Sequence, residues 1–187
     1  MNITRERLRY MSNYFWNGLE HFIIAIIFAF IYDKLTDGKN LKKVSFLVGL
    51  IVSSSAIFFL PLHIVGQDSF IDKVYQYLHY PISDWDILLF GMGWHRFFIT
   101  HSLLIFLVII LLIKKPEQVY LPVIIGIGIG LSSHLVWDGL SCSMKTPVVF
   151  IASFLQFRGY WAKGWLLLNG IILFIMTLDY AKKYLEE

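Results

Sequence analysis

The chain has 187 residues, of which 57% are hydrophobic, 17% aromatic and only 16% charged, with a formal net charge of +3. Soluble domains run nearer about 45–50% apolar and about 25% charged, so the composition excludes an ordinary soluble domain and points to the bilayer. A charge this small, with no basic stripe interleaved with aromatics, excludes nucleic acid as a partner.

The length suits one domain, residues 1–187. The single Cys142 excludes an internal disulfide. A membrane span needs about 20 mostly apolar residues, and five segments qualify: about 13–32, 44–65, 96–113, 120–138 and 161–178. The expected fold is an all-α membrane protein, a small bundle of about five transmembrane helices. Glu20 and His21 interrupt the first span, whose apolar run from Phe22 to Tyr32 passes into Asp33-Lys34-Leu35 without a small-residue cleavage site. It is therefore expected to be retained rather than processed. In the long 66–95 linker, Phe70, Ile71, Val74, Tyr75 and Leu78 repeat at helical spacing, which predicts an amphipathic helix lying on the membrane surface and ended by Pro81. The 139–160 linker carries no predicted element. In the fourth span, Gly126 and Gly130 form a GxxxG, the signature of close helix packing.

Strict alternation of five spans puts the N-terminus and the 66–95 and 139–160 linkers on one face. At about 1.5 Å rise per residue, His21 and His101 lie roughly 18 Å, and His134 roughly 21 Å, from the far ends of their spans. Histidines from three helices are thus expected to meet. All six tryptophans fall on or near the same face, as interfacial anchors do. Lys and Arg divide eight against eight between the two faces, so the positive-inside rule does not orient the chain.

The metal-capable side chains gather on that face. Asp84 and Asp86 flank Trp85 in a segment expected to be non-helical after Pro81. His95 and Arg96 precede Thr100-His101-Ser102 at the mouth of the third span. Burying imidazoles and a guanidinium there without function is costly. His134 and Asp138 are four residues apart, on one side of a helix, either as two ligands or as one ligand with its orienting carboxylate. Imidazole and carboxylate without thiolate suit zinc, manganese, iron or nickel. With His21, the seven candidates exceed what one tetrahedral zinc needs, leaving one or two ions open. Arg96 is a candidate to hold a substrate anion, or to form a salt bridge with Asp84 or Asp86. The plainer alternative is a His–Asp network that only pins helices. Glu20, His63 and His79 are weaker candidates, and no nucleophile motif for covalent catalysis is present.

In order, His21, Asp84-Trp85-Asp86, His95-Arg96-x-x-x-Thr100-His101-Ser102 and Ser133-His134-Leu135-x-x-Asp138 resemble the bacterial inner-membrane metal-dependent hydrolases described as LexA-regulated or LexA-binding. The resemblance runs from about His21 to Asp138. It departs from the family pattern at Ser83, where Pro is usual, at Phe97, where Gly often follows His-Arg, and in a longer stretch before Asp84. It implies a small helical membrane bundle, a divalent metal cofactor and hydrolysis.

The expected protein is a multi-pass protein of a bacterial inner (plasma) membrane with a metal site near one interface. The metal is expected to be zinc, with manganese or iron as alternatives. The expected ligands or immediate partners are Asp84, Asp86, His95, His101, His134 and Asp138, with His21 ranked lower. Asp86 and Arg96 are the expected catalytic residues, and the substrate an ester or phosphoester of lipid type. The rival is a non-enzymatic membrane protein, either a metal-binding scaffold or a carrier. A carrier needs a polar path, and Leu103–Ile113 and Leu121–Leu131 contain no ionisable residue.

Overall fold

A computed structural model describes residues 5–37, 44–54, 80–91, 95–113, 120–141, 148–152 and 154–185. They are mostly helical. Helix α1 (Arg5–Leu35) and α2 (Val44–Ser54) are followed by a 3₁₀ turn (Ile82–Asp84) that runs into α3 (Trp85–Phe90). Helices α4 (Leu104–Leu112) and α5 (Leu121–Ser141) lead to strands β1 (Val148–Ala152) and β2 (Leu155–Arg158), and α6 (Tyr160–Leu185) closes the described chain. The predicted surface helix at 68–80 and the second half of the predicted second span lie outside the described residues up to Tyr80. His63, His79 and Cys142 also lie outside them.

Helix α5 is the central element. Fifteen of its 21 residues are buried, and it packs against α1, α2 and α6. Glycine in a helix interior costs about 1 kcal/mol relative to alanine, and α5 carries Gly126, Gly128 and Gly130 within five positions. Close approach is the reason. A Cβ on Gly126 would meet the Phe46 carbonyl and stand 2.9 Å from Leu50 N, and one on Gly130 would meet Ser53. Gly49 of α2 returns the contact against Val123 and Ile127. The GxxxG reading thus corresponds to a backbone-to-backbone seam, reinforced by a 3.5 Å contact from Ser53 Oγ to Gly126 O. On the other side of α5, Gly128 faces Thr177 and Gly139 faces Leu167, both of α6. Two apolar clusters flank α5. One joins Ala25, Ala29, Tyr32, Phe46 and Ile125; the other joins Phe106, Leu131, Leu135, Val149 and Leu166.

Three sequence expectations need correction. Among the described residues, two helices, α5 and α6, are long and apolar enough to cross a membrane, rather than five. The predicted third span is helical only from Leu104 to Leu112. Nine residues rise about 14 Å, half of a hydrocarbon core about 30 Å thick. Residues 96–103 turn instead, because their backbone and hydroxyl groups bond outside a helix: Phe98 N donates to Phe150 O, and Leu103 N to Asn169 Oδ1. Finally, the all-α expectation misses an antiparallel hairpin, β1–β2. The run Val148-Val149-Phe150-Ile151 has strand chemistry, and Phe150 also bridges to Phe97.

Apolar side chains face outward on several helices. Ile23, Ile26, Ile27, Phe30 and Ile31 of α1 are 41–59% exposed at helical spacing, as are Leu168, Ile171, Ile172 and Ile175 of α6 at 36–58%.

The glycine seam yields a direct test. Gly126→Val should destabilise the detergent-purified protein by about 2 kcal/mol or more, because backbone must move. Gly164→Ala, with nothing within 4 Å of its Cβ, should stabilise slightly, by up to about 1 kcal/mol. Chemical unfolding monitored by tryptophan fluorescence measures both.

Candidate metal centre

Pro81, extended at φ −61° and ψ 157°, starts the 3₁₀ turn, and Asp84 N donates to Pro81 O at 2.8 Å. Asp84 and Asp86 therefore sit at a 3₁₀–helix junction, not in the non-helical segment expected from sequence. Trp85 Nε1 donates to Tyr80 O at 3.2 Å and anchors this corner. Asp86 is fully buried. Its Oδ2 accepts from Phe97 N at 2.7 Å and Thr100 Oγ1 at 2.8 Å, and lies 3.2 Å from His101 Nδ1.

These contacts place one proton on His101. Its Nδ1 faces the Asp86 carboxylate and the Thr100 hydroxyl oxygen, also at 3.2 Å, so Nδ1 carries a hydrogen and Nε2 is the nitrogen turned to Asp84, as a ligand to an ion or, when protonated, as a donor to the carboxylate. The same logic holds for His134. Its Nδ1 faces the Ser54 carbonyl at 3.3 Å, an acceptor only, so Nδ1 carries a hydrogen and Nε2 is turned to the cluster. Both Nε2 atoms meet one oxygen. Asp84 Oδ1 lies 3.3 Å from His101 Nε2 and 3.3 Å from His134 Nε2. All three atoms are buried without a hydrogen-bond partner.

A carboxylate oxygen between two imidazole nitrogens in a buried site calls for positive charge, from a bound ion or from protons on the rings. A tetrahedral ion about 2.0–2.1 Å from each ligand holds its ligands about 3.3 Å apart. The observed spacing fits the ion. The charge fits as well: Asp84, Asp86 and Asp138 against Arg96 leave two negative charges, which one divalent ion neutralises.

The other candidates surround this triad. His95 Nδ1 lies 3.6 Å from Asp86 Oδ1 and 3.9 Å from Asp84 Oδ1, with its side chain 29% exposed. It stands on the open side. Asp138 Oδ2 accepts from Arg96 Nε at 2.8 Å and lies 3.8 Å from His101 Nε2. Arg96 therefore pairs with Asp138, not with Asp84 or Asp86, the salt bridge that the sequence reading offered as an alternative to holding a substrate anion. Arg96 adopts φ +71°, a left-handed conformation that costs a non-glycine residue about 1–3 kcal/mol. His21 Nε2 lies 3.5 Å from Asp138 Oδ1, and its ring stacks on that of His134 at 4.3 Å. Three groupings can hold a metal ion: Asp84, His101 and His134; Asp86, His95 and His101; and His21, His134 and Asp138. They share His101 and His134, each with one ring nitrogen turned to the cluster, so they are not three independent sites. The first has Nε2 of both imidazoles directed at it.

Burial alone would raise the Asp84 and Asp86 carboxyls. The imidazoles hold them below the ordinary carboxylate range instead: His134, His101 and His95 act on Asp84, and His101, His95 and the Phe97 N–H act on Asp86. Ion and proton compete for the same imidazole lone pairs.

Sequence reasoning missed the residues that hold the triad from behind. Ser54 acts through its carbonyl, which leaves no side-chain signal. Asn169 binds Leu103 N at 3.2 Å, and Trp165 Nε1 donates to His101 O at 3.0 Å. Asn169 was detectable as the one amide within an otherwise apolar stretch of the last span.

Comparison with known proteins finds no family model, no curated protein and no solved structure that matches this chain.

Two outcomes follow from the geometry. Asp86→Asn keeps the triad but loosens His101, so zinc affinity should fall about 10–100-fold, measured by competition with a chromogenic chelator. Carboxyls held low in the fold stabilise it above their unfolded value and cease to do so as pH falls. Stability of the chelator-treated protein should therefore decline as pH drops below about 4, and Asp86→Asn should flatten that decline in unfolding titrations.

Proposed function

We propose that this protein is a membrane-embedded metal-dependent hydrolase of a bacterial inner membrane, as its resemblance to that family implies. The single observation that carries the reading is Asp84 Oδ1 standing 3.3 Å from Nε2 of both His101 and His134. Zinc suits a small site of imidazole and carboxylate ligands, with manganese or iron as alternatives. When bound, such an ion supplies Lewis acidity toward water and toward a carbonyl or phosphoryl oxygen.

The chain's own residues supply the rest. Asp84, His101 and His134 form the ligand set. Asp86 orients His101 and, through its second oxygen, faces His95. His95, partly exposed and beside two carboxylates, is placed to take a proton from attacking water. Arg96, held by Asp138 at the edge of the site, is placed to stabilise charge that develops on a substrate oxygen. His21 and Asp138 support His134 and Arg96, or contribute a second ion site.

The outward apolar stripes of α1 and α6 support a lipid environment, since water would make such surfaces costly. Tyr160 and Trp161, 74% and 80% exposed at the site end of α6, suit the headgroup boundary. A site at that depth favours a lipid-type ester or phosphoester. The rival carrier reading is disfavoured because α4, and α5 before His134, offer no ionisable residue toward the opposite end.

Elemental analysis of detergent-purified protein tests the reading, followed by ester and phosphoester assays. Wild type should hold stoichiometric zinc, manganese or iron, and His101→Ala and His134→Ala should lose it. Turnover should fall about 100-fold or more in both variants. Wild type that stays metal-free after incubation with these ions would remove the hydrolase reading.

A further inference from the structure

Helix α3 carries Asp86 and Phe90 four residues apart, a spacing that places both on one side of the helix. Asp86 turns into the cluster. Phe90, 52% exposed, helps to wall a cavity of about 270 Å³ with Phe97, Ile151 and Ala152. The cavity adjoins the metal centre through its own wall. The backbone N–H of Phe97 donates to Asp86 Oδ2 at 2.7 Å, and Phe97 directly follows Arg96. The bridge from Phe97 to Phe150 brings β1, and with it Ile151 and Ala152, to the same place.

The lining changes character over one residue. On the side of Arg96 stand a guanidinium, three carboxylates and imidazoles. On the side of Phe97 all four lining side chains are apolar. A molecule that spans both must have a polar, anionic or carbonyl end joined to a hydrocarbon tail. Leu89, Phe154 and Leu155, next in sequence to the lining residues or one turn beyond, are 48–88% exposed. Exposed apolar side chains beside the lining residues in sequence favour a tail that arrives from lipid over a polar ligand that arrives from water.

We infer that this cavity is the acyl-chain subsite of a lipid ester or phosphoester, with the tail between Phe90, Phe97 and the Ile151–Ala152 strand and the scissile group at the His–Asp cluster. The inference deepens the hydrolase reading and rests on it. The reaction is a plain hydrolysis: the water oxygen bonds to the acyl carbon or phosphorus, the ester C–O or P–O bond breaks, and the leaving oxygen takes a proton. No oxidant or reductant is needed. Ala152 is the position at which a larger side chain would fill the tail's space, and Phe90 the position at which a smaller one would remove a wall.

The test uses the full chain in amphipol, loaded with zinc, and two non-hydrolysable probes, methylphosphonate and octylphosphonate. Calorimetric titration of wild type should show octylphosphonate binding about tenfold tighter than methylphosphonate, or more. Ala152→Phe should abolish that advantage while zinc content and methylphosphonate affinity stay as in wild type. Phe90→Ala, changed at a half-exposed position, should reduce the advantage and serves if Ala152→Phe does not fold. Zinc and methylphosphonate binding without any octyl advantage in wild type would overturn the subsite alone. An octyl advantage undiminished in both variants would place the tail elsewhere and also overturn it. Failure of wild type to take up zinc would instead strike the hydrolase reading beneath it.

Discussion

Helix α5 lies against α2 with backbone on backbone, and the rest of the molecule is arranged around that contact. The seam of Gly49, Gly126 and Gly130 brings the end of α2 close enough for the Ser54 carbonyl to meet His134. That contact turns the other nitrogen of His134 toward Asp84. On its opposite side, α5 admits α6 through Gly128 and Gly139, and α6 in turn fixes the 97–103 turn with Asn169 and Trp165. The two imidazoles therefore meet because three helices can approach more closely than ordinary side chains permit. A methyl group in the seam acts at a distance on the chemistry, by moving the carbonyl that orients an imidazole.

The cluster then presents an electrostatic problem that a bound cation, or protons on the imidazoles, solves. Asp86 spends one oxygen on orientation, where it meets a backbone N–H, a hydroxyl and an imidazole. Asp138 is neutralised by Arg96. Asp84 has neither arrangement, and its Oδ1 faces two imidazole nitrogens. Three carboxylates in similar sequence settings thus have different roles, decided by what stands opposite each oxygen.

Much of this was legible in the sequence. Counting depth along five helical spans brought His21, His101 and His134 to one level; the rings do meet, His21 stacked on His134 and His101 5.9 Å from it, although His101 lies in a turn and not in the helix that the count assumed. The i, i+4 pair His134–Asp138 and the GxxxG followed from helix periodicity alone. What escaped was whatever hydropathy conceals. Residues 96–103 are apolar enough to read as membrane span, yet their hydrogen bonds go to Asp86, Phe150 and Asn169, and no composition rule anticipates those partners. The hairpin at 148–158 was hidden because its strands are short and lie in what read as a linker. The partner of Arg96 was missed because Asp138 is 42 residues away, while Asp84 and Asp86 were near in sequence.

Position 96 is caught between two demands. Its backbone, at φ +71°, asks for glycine or asparagine. The carboxylate of Asp138 asks for a cation, and neither of those residues carries one. Arginine meets the second demand and bears the strain of the first. Few substitutions at this position satisfy both demands. A glycine would relax the chain and strand a buried anion, while a β-branched residue would lose on both counts. The residue is a compromise whose cost is visible in one torsion angle.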